Sequence, residues 1–504
     1  MPEPTAERAY LFRHALMRSA AYELQMPAQR ASLHAFAAHA LEDLHHAGVL
    51  AASVDLFTEL ADHCHAAAPV QPELRRRGLD YLLAAASRLE GKYQHRNEAA
   101  VNLRILDHPD ATACVAADAA RRAASATAIA HGYESAEELY LVATARASEC
   151  ADSRLSGRIA ADHASNLSLL GRNHDAAACA DRAAAESPDP ATLANLLTVK
   201  ARSIGGLGRT DEAKGLFRQA ARLARDAASA LDEGIALANL ASLEFKSNEP
   251  ELAYRNYRAA AELLEACGAK LQLCHTLGNL GSTYKRLGDR ARARELYSQA
   301  ARIARDCGSQ EGEGFWTGCL ALMDSVDGDL DSARPGLERA RHCALEVGQK
   351  SDVALWTTAL GDLYFRAGDT TRAREWYQRG TDLLRQVGPP SQLAQALHSL
   401  ATLMANDGEP VRAREVLTEA IELARACQDV RAEGACLCQL GLLDLPVSVD
   451  LANRNFTAGW LLLTRIGDVA HRAQLRRDHE APLRQAGLCI LDDGTIGPVT
   501  PKIV

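Results

Sequence analysis

The stretch LGNLGSTYKRLGDRARARELYSQA, residues 277–300, decides how this chain is read. Leu277 and Leu280 are large and apolar, Gly281 is small, Tyr284 is large and Gly288 marks a turn; Ala293, Tyr297 and Ala300 then run small, large, small. Two helices joined at Gly288 need small residues where their backbones approach and large ones where side chains interlock. The order predicts an antiparallel helix pair. Working outward, the turn position falls on a 40-residue beat at Gly208, Gly288, Gly328, Gly368 and Gly408, with Asn248 holding the missing place. A period in this range is that of helical hairpins stacked into a solenoid.

The neighbouring copies keep the slots. Leu360, Gly361, Tyr364, Gly368, Ala373, Tyr377 and Gly380 form a second good copy, and Leu240, Ala241, Ala253, Tyr257 and Ala260 a weaker one. Further copies carry Leu320, Ala321, Ala333, Leu337 and Ala340, then Leu400, Ala401, Ala413, Leu417 and Ala420, and earlier Ile204, Gly208, Ala213, Phe217 and Ala220. The order resembles the tetratricopeptide repeat, whose pattern is W-x2-L-G-x2-Y, a turn glycine, then small, aromatic and small residues. The resemblance implies an all-α fold, a right-handed superhelical solenoid of antiparallel helix pairs. The repeats are of the long type, with helices of about four turns, or roughly 24 Å at 1.5 Å per residue. A second lattice, Cys267-Gly268, Cys307-Gly308, Val347-Gly348 and Val387-Gly388, marks the ends of the second helices. Glycine there is expected in the left-handed conformation that closes a helix.

Along the chain, residues 191–430 are read as six repeats, 111–190 as two degenerate ones, 431–490 as a further degenerate repeat with a polar capping helix, and 491–504 as a non-helical tail. Pro188 and Pro190 fall between hairpins, where a missing N–H is cheap. Residues 1–110 follow another logic. Phe12-Arg13-His14-Ala15-Leu16, Ala20-Ala21-Tyr22, Arg30, Leu33-His34, Ala40-Leu41-Glu42, Leu60-Ala61-Asp62-His63 and Tyr81-Leu82-Leu83-Ala84-Ala85-Ala86 resemble the helical segment after the ATPase in STAND-type signalling proteins, including those joined to adenylate cyclase or LuxR-type domains. No G-x-x-x-x-G-K-[ST] phosphate loop is present, so the resemblance implies a piece of a larger switch protein or a relative without its engine.

The net charge of -9 argues against coating nucleic acid through phosphate neutralisation. Arg290, Arg292 and Arg294 read as a solvated helix face. The first residues, Met1-Pro2-Glu3-Pro4, lack the basic and apolar regions of a signal peptide, and no apolar run long enough for a membrane span follows, so a cytosolic, membrane-free protein is expected. Hydrophobic content is 47% but aromatic content only 5%, because alanine fills the close helix contacts. The 13 cysteines are scattered, and Cys267, Cys307 and Cys427 are expected in the core.

Motif chemistry is sparse. Asp327, Asp329, Asp331 and Glu338 have calcium-loop spacing, but Ser332 replaces the required glycine, and the segment reads as a turn followed by a helix capped by Asp331. His63-Cys64-His65 and Cys436-Leu437-Cys438 place residues two apart, about 200° around a helix, which does not suit one zinc ion. His45-His46 suits a helix C-terminus. With no catalytic motif, neither an enzyme nor a cofactor or metal is expected.

In the tetratricopeptide family the first helices line a concave groove for a peptide or partner helix. By that resemblance the inner-face positions are Asn195, Thr198 and Arg202; Asn239, Ser242 and Lys246; His275, Asn279, Ser282, Lys285 and Arg286; Phe315; Thr358, Asp362 and Arg366; and His398, Thr402 and Asn406. Arg202, Lys285 and Arg286 suit a carboxylate, and Phe315 with Trp316 an apolar anchor or core. The expected function is a protein–protein interaction scaffold with a protein or peptide partner in a signalling assembly. The alternative is an effector- or peptide-sensing module of a STAND ATPase or transcription regulator.

Overall fold

The computed structural model describes residues 25–90, 94–150, 152–186, 189–466, 469–491 and 495–498. The sequence motifs at Phe12–Leu16 and Ala20–Tyr22, and Pro188, lie outside these residues. The described chain is almost wholly α-helical, with one short pair of strands. It divides into two compact units, Met1–Asn239 and Leu240–Val504.

In the first unit, helices Pro27–His46, Val54–Ala67, Glu73–Leu89 and His95–Leu106 precede the degenerate repeats. Leu56, Phe57, Leu60, Leu79, Leu82, Leu89 and Ile105 form a buried cluster that joins them. Beside it, Glu42 is buried and accepts a 2.6 Å hydrogen bond from the Tyr81 hydroxyl while pairing with Arg77. Two residues of the STAND-like pattern, Glu42 and Tyr81, thus meet across helices. Farther on, Cys114 and Cys150 form a disulfide between the ends of helices Ala113–His131 and Glu137–Ser148, a pairing that the cysteine spacing gave no reason to expect.

The second unit contains the hairpins Lys270–Arg286 with Arg290–Cys307, Gln310–Asp327 with Leu330–Val347, Lys350–Arg366 with Thr370–Val387, Pro390–Asn406 with Pro410–Ala426, and Val430–Asp444 with Val449–Arg465. Helix Val469–Gln485 and two antiparallel strands, Leu488–Ile490 and Ile496–Pro498, follow. Leu475, Leu483 and Ile496 pack on Phe456 and Trp460, so within the expected non-helical tail the strand Ile496–Pro498 helps cover the last hairpin. The amide of Asn248 donates to the Ile466 carbonyl, which brings the turn after Lys246 against the end of helix Val449–Arg465.

The slots behave as helix packing demands. Ala293, Tyr297 and Ala300 are buried, and a Cβ on Gly361 would lie 2.6 Å from the Tyr377 ring. The 40-residue beat is a backbone beat: φ is +91° at Gly288 and +61° at Asn248, the left-handed region that glycine enters freely and asparagine tolerates. The second lattice departs from expectation at Gly388, where φ is -88° and ψ 156°. Pro389 follows, and a residue before proline is driven to extended backbone. On the same lattice, Ala228 and Gln428 take φ values of +54° and +58° without being glycine.

Cys267 and Cys427 are exposed and Cys307 only partly buried, contrary to the expected core placement, because the slot lies at the helix end rather than on its packed face. Cys274, Cys343, Cys436 and Cys438 are the buried thiols of this unit. A recurring clamp also ties the end of a second helix to the next first helix. Arg225 pairs with Glu233 at 2.6 Å, Arg305 with Glu313 at 3.1 Å and Arg425 with Glu433 at 2.7 Å.

Candidate partner-binding face

Within the second unit, first helices touch the first helices of neighbouring hairpins as well as their own partners, so they form the inner side of the array. Three of the expected groove residues turn out to serve the core. The hydroxyl of Ser282 lies 2.9 Å from that of Tyr297, and Tyr377 donates to Asp362 at 2.6 Å. Ser242 bonds Tyr257 in the same relation. All three tyrosines are buried and need polar partners between the helices. Where the second helix carries Leu337 instead, the first carries Leu322. The signal was therefore in the sequence, as a polar residue 15 positions before each core tyrosine.

Arg286 is also engaged: it donates to the Phe245 carbonyl at 2.6 Å and lies 3.6 Å over the Phe245 ring. Thr198 is buried and bonds the Ala194 carbonyl. Asn239 bonds the Ile235 carbonyl, and Thr358 and Thr402 bond their own helices likewise. In the first unit Asn195 and Arg202 are half-buried, and burial lowers the Arg202 pKa; its Nε and one terminal nitrogen have no hydrogen-bond partner among the described residues. Lys246, Lys285, Arg366 and Asn406 are exposed, while Asn279 and His398 are half-buried. Trp316 belongs to the core, stacked on Tyr297, and half-buried Phe315 sits edge-on between Trp316 and Trp356.

The inner side also holds ionisable groups that the family positions did not pick out. Glu311 and Asp352 reach solvent, yet surrounding protein displaces much of their water and raises both carboxyls above the usual range, with Glu311 adding repulsion at Asp352. Desolvation likewise lowers His275. The half-buried Cys319 thiol is pushed up to about 12 by desolvation, with the charges of Lys285 and Asp352 acting on it in opposite directions. His275, Glu311 and Asp352 stand on successive first helices, Lys270–Arg286, Gln310–Asp327 and Lys350–Arg366, and all reach solvent.

The motif-like clusters resolve into structure. Asp329, rather than Asp331, caps helix Leu330–Val347 by accepting from the Ser332 amide, and Asp327 pairs with Arg290 and Arg294. His63 faces His34 with Nδ1 atoms 2.7 Å apart, whereas Cys64 points into the core. His45 bonds the Leu50 carbonyl. Among the described residues no group of three or more His, Cys, Asp or Glu side chains is placed to hold a metal, and no helix is long and apolar enough to cross a membrane.

Residues 234–443 match the family model of the MalT-like TPR region. The chain has a TPR-like helical repeat fold, and its matched stretch resembles the MalT-like TPR region. Among solved structures it is similar to a Rap protein complexed with Competence and Sporulation Factor, at 16% identity and a TM-score of 0.53, over 66% of this chain and 93% of that one. It is also similar to a STAND protein with a tetratricopeptide repeat sensor from Pyrococcus horikoshii, at 14% identity and a TM-score of 0.50, over 76% of this chain and 57% of that one. No curated protein matches the chain.

Proposed function

We propose that this protein is a non-enzymatic interaction scaffold whose inner side, in the second unit, receives an extended peptide or a segment of a partner protein in a signalling assembly. The observation that carries the reading is that His275, Lys285, Glu311 and Asp352 are accessible polar groups on successive first helices that touch one another along one side of the array, and burial by neighbouring protein, which raises the two carboxyls and lowers the histidine, agrees with it. Such groups gain when a ligand supplies the hydrogen bonds and counter-charge that water no longer provides. Lys285, exposed and without an ion pair among the described residues, offers a cation for a ligand carboxylate; Arg286, already committed to Phe245, does not. The Rap complex lends support by fold, since that protein is seen with a bound factor.

The test is a tagged pull-down from the native cell, comparing wild type with the Lys285→Glu, Asp352→Asn double variant, both checked for helicity by circular dichroism. A stoichiometric partner lost only in the variant supports the reading. Equal recovery by both proteins overturns it. A second reading, a sensor module acting on a STAND ATPase or a transcription regulator, draws on the fold shared with the STAND protein from P. horikoshii. It requires an ATPase or regulator to co-purify, or a small effector to shift the melting temperature.

A further inference from the structure

Two hairpins of the second unit share a cationic and aromatic cluster built mainly on their second helices, Leu330–Val347 and Thr370–Val387. The rings of Tyr364 and Trp376 are 6.5 Å apart and nearly parallel. Arg334 and Arg372 lie 6.0 and 5.6 Å from the Tyr364 ring, and Arg341 and Arg379 each 5.5 Å from that of Trp376. Stacking on a ring fixes a guanidinium plane and leaves its N–H edge for an acceptor.

In the related cluster nearer the start of the unit each arginine has an acidic neighbour on its own helix or turn, Arg258 with Glu262 at 3.5 Å and Arg292 with Asp289 at 3.4 Å. At the Tyr364–Trp376 cluster, Arg372 and Arg379 have only long pairings, with Asp369 at 3.5 Å and Glu375 at 3.9 Å. Arg334 and Arg341 have no ion pair among the described residues, although Glu338 lies between them on the same helix. The Nε of Arg341 is moreover shielded from solvent and lacks an acceptor. A buried donor left without a partner marks a place where an acceptor belongs.

We infer that Arg334, Arg341, Arg372 and Arg379, held on Tyr364 and Trp376, form a docking surface for an acidic segment of a partner protein. Carboxylates match the outward guanidinium edges two bonds at a time. Nucleic acid suits the surface less well. The ring faces are covered by arginines and so cannot stack bases, and Glu338, Asp369 and Glu375 interrupt the positive charge that a phosphate backbone would follow.

Fluorescence anisotropy with a labelled oligoglutamate peptide at low salt tests the surface on the full chain. We expect binding by wild type, a loss of roughly tenfold or more in the Arg334→Gln, Arg341→Gln variant, and no change in Arg302→Gln, an exposed position of helix Arg290–Cys307 outside both faces. Circular dichroism melting confirms that each variant is folded. No binding by wild type, or equal binding by the double variant, overturns the inference. So does a single-stranded oligonucleotide that binds more tightly than the peptide and is lost in the same variant, since the surface would then read phosphates.

Discussion

A tyrosine hydroxyl buried between two helices has to find a partner, and here it finds one on the facing first helix. Tyr377 and Asp362 are the most demanding pair, because burial raises the Asp362 carboxyl while the Tyr377 hydrogen bond favours its charge. Tyr377→Phe should lower stability by about 1–3 kcal/mol at neutral pH. The sign with pH follows from the raised carboxyl: Asp362 is charged above its folded value and in greatest need of the donor there, so the loss should shrink as acidification protonates it. Chemical denaturation at two pH values checks both statements. Gln428 offers the opposite change. With φ at +58° it occupies a place where the same lattice uses glycine at 268, 308 and 348, and Gln428→Gly should stabilise by roughly 0.5–1 kcal/mol, read as a higher denaturation midpoint.

At the scale of elements, the clamps decide how firmly one hairpin holds the next. Glu313 is buried and faces Arg305 and, at 3.5 Å, Arg339. The equivalent positions in the following hairpin hold the apolar residues Leu345 and Val353. Arg305→Leu alone should cost about 1–3 kcal/mol by leaving Glu313 less well paired, whereas Arg305→Leu with Glu313→Val should return close to wild type. A double-mutant cycle followed by thermal melting separates these outcomes. The helices themselves were legible because glycine, alanine and tyrosine recur at fixed spacing and each has one steric use. The candidate face was less legible: position in a repeat says which side of a helix a residue occupies, but not that Ser282 or Asp362 is taken up by a tyrosine, or that Arg286 bends back onto Phe245. The arginine and aromatic cluster escaped notice because its members come from three helices in two hairpins and share no local motif.

At the scale of the molecule, each unit gains its stability chiefly between neighbours, as stacked hairpins do. The Asn248–Ile466 hydrogen bond in the second unit is an exception, joining residues 218 positions apart. Asn248→Gly keeps the left-handed turn and removes only the amide. We expect it to cost about 1 kcal/mol and to speed hydrogen exchange in the Val430–Asp444 and Val449–Arg465 helices, leaving Lys350–Arg366 at its wild-type rate. Uniform exchange in wild type and variant would show that the bond holds nothing.

That bond alters what kind of chain of couplings the second unit is. A row with two loose ends melts inward from the weaker end, and each hairpin lost makes the next easier to lose. The Asn248–Ile466 bond adds one tie that skips the neighbours between, and at about 1 kcal/mol it slows fraying at the places it joins without blocking it.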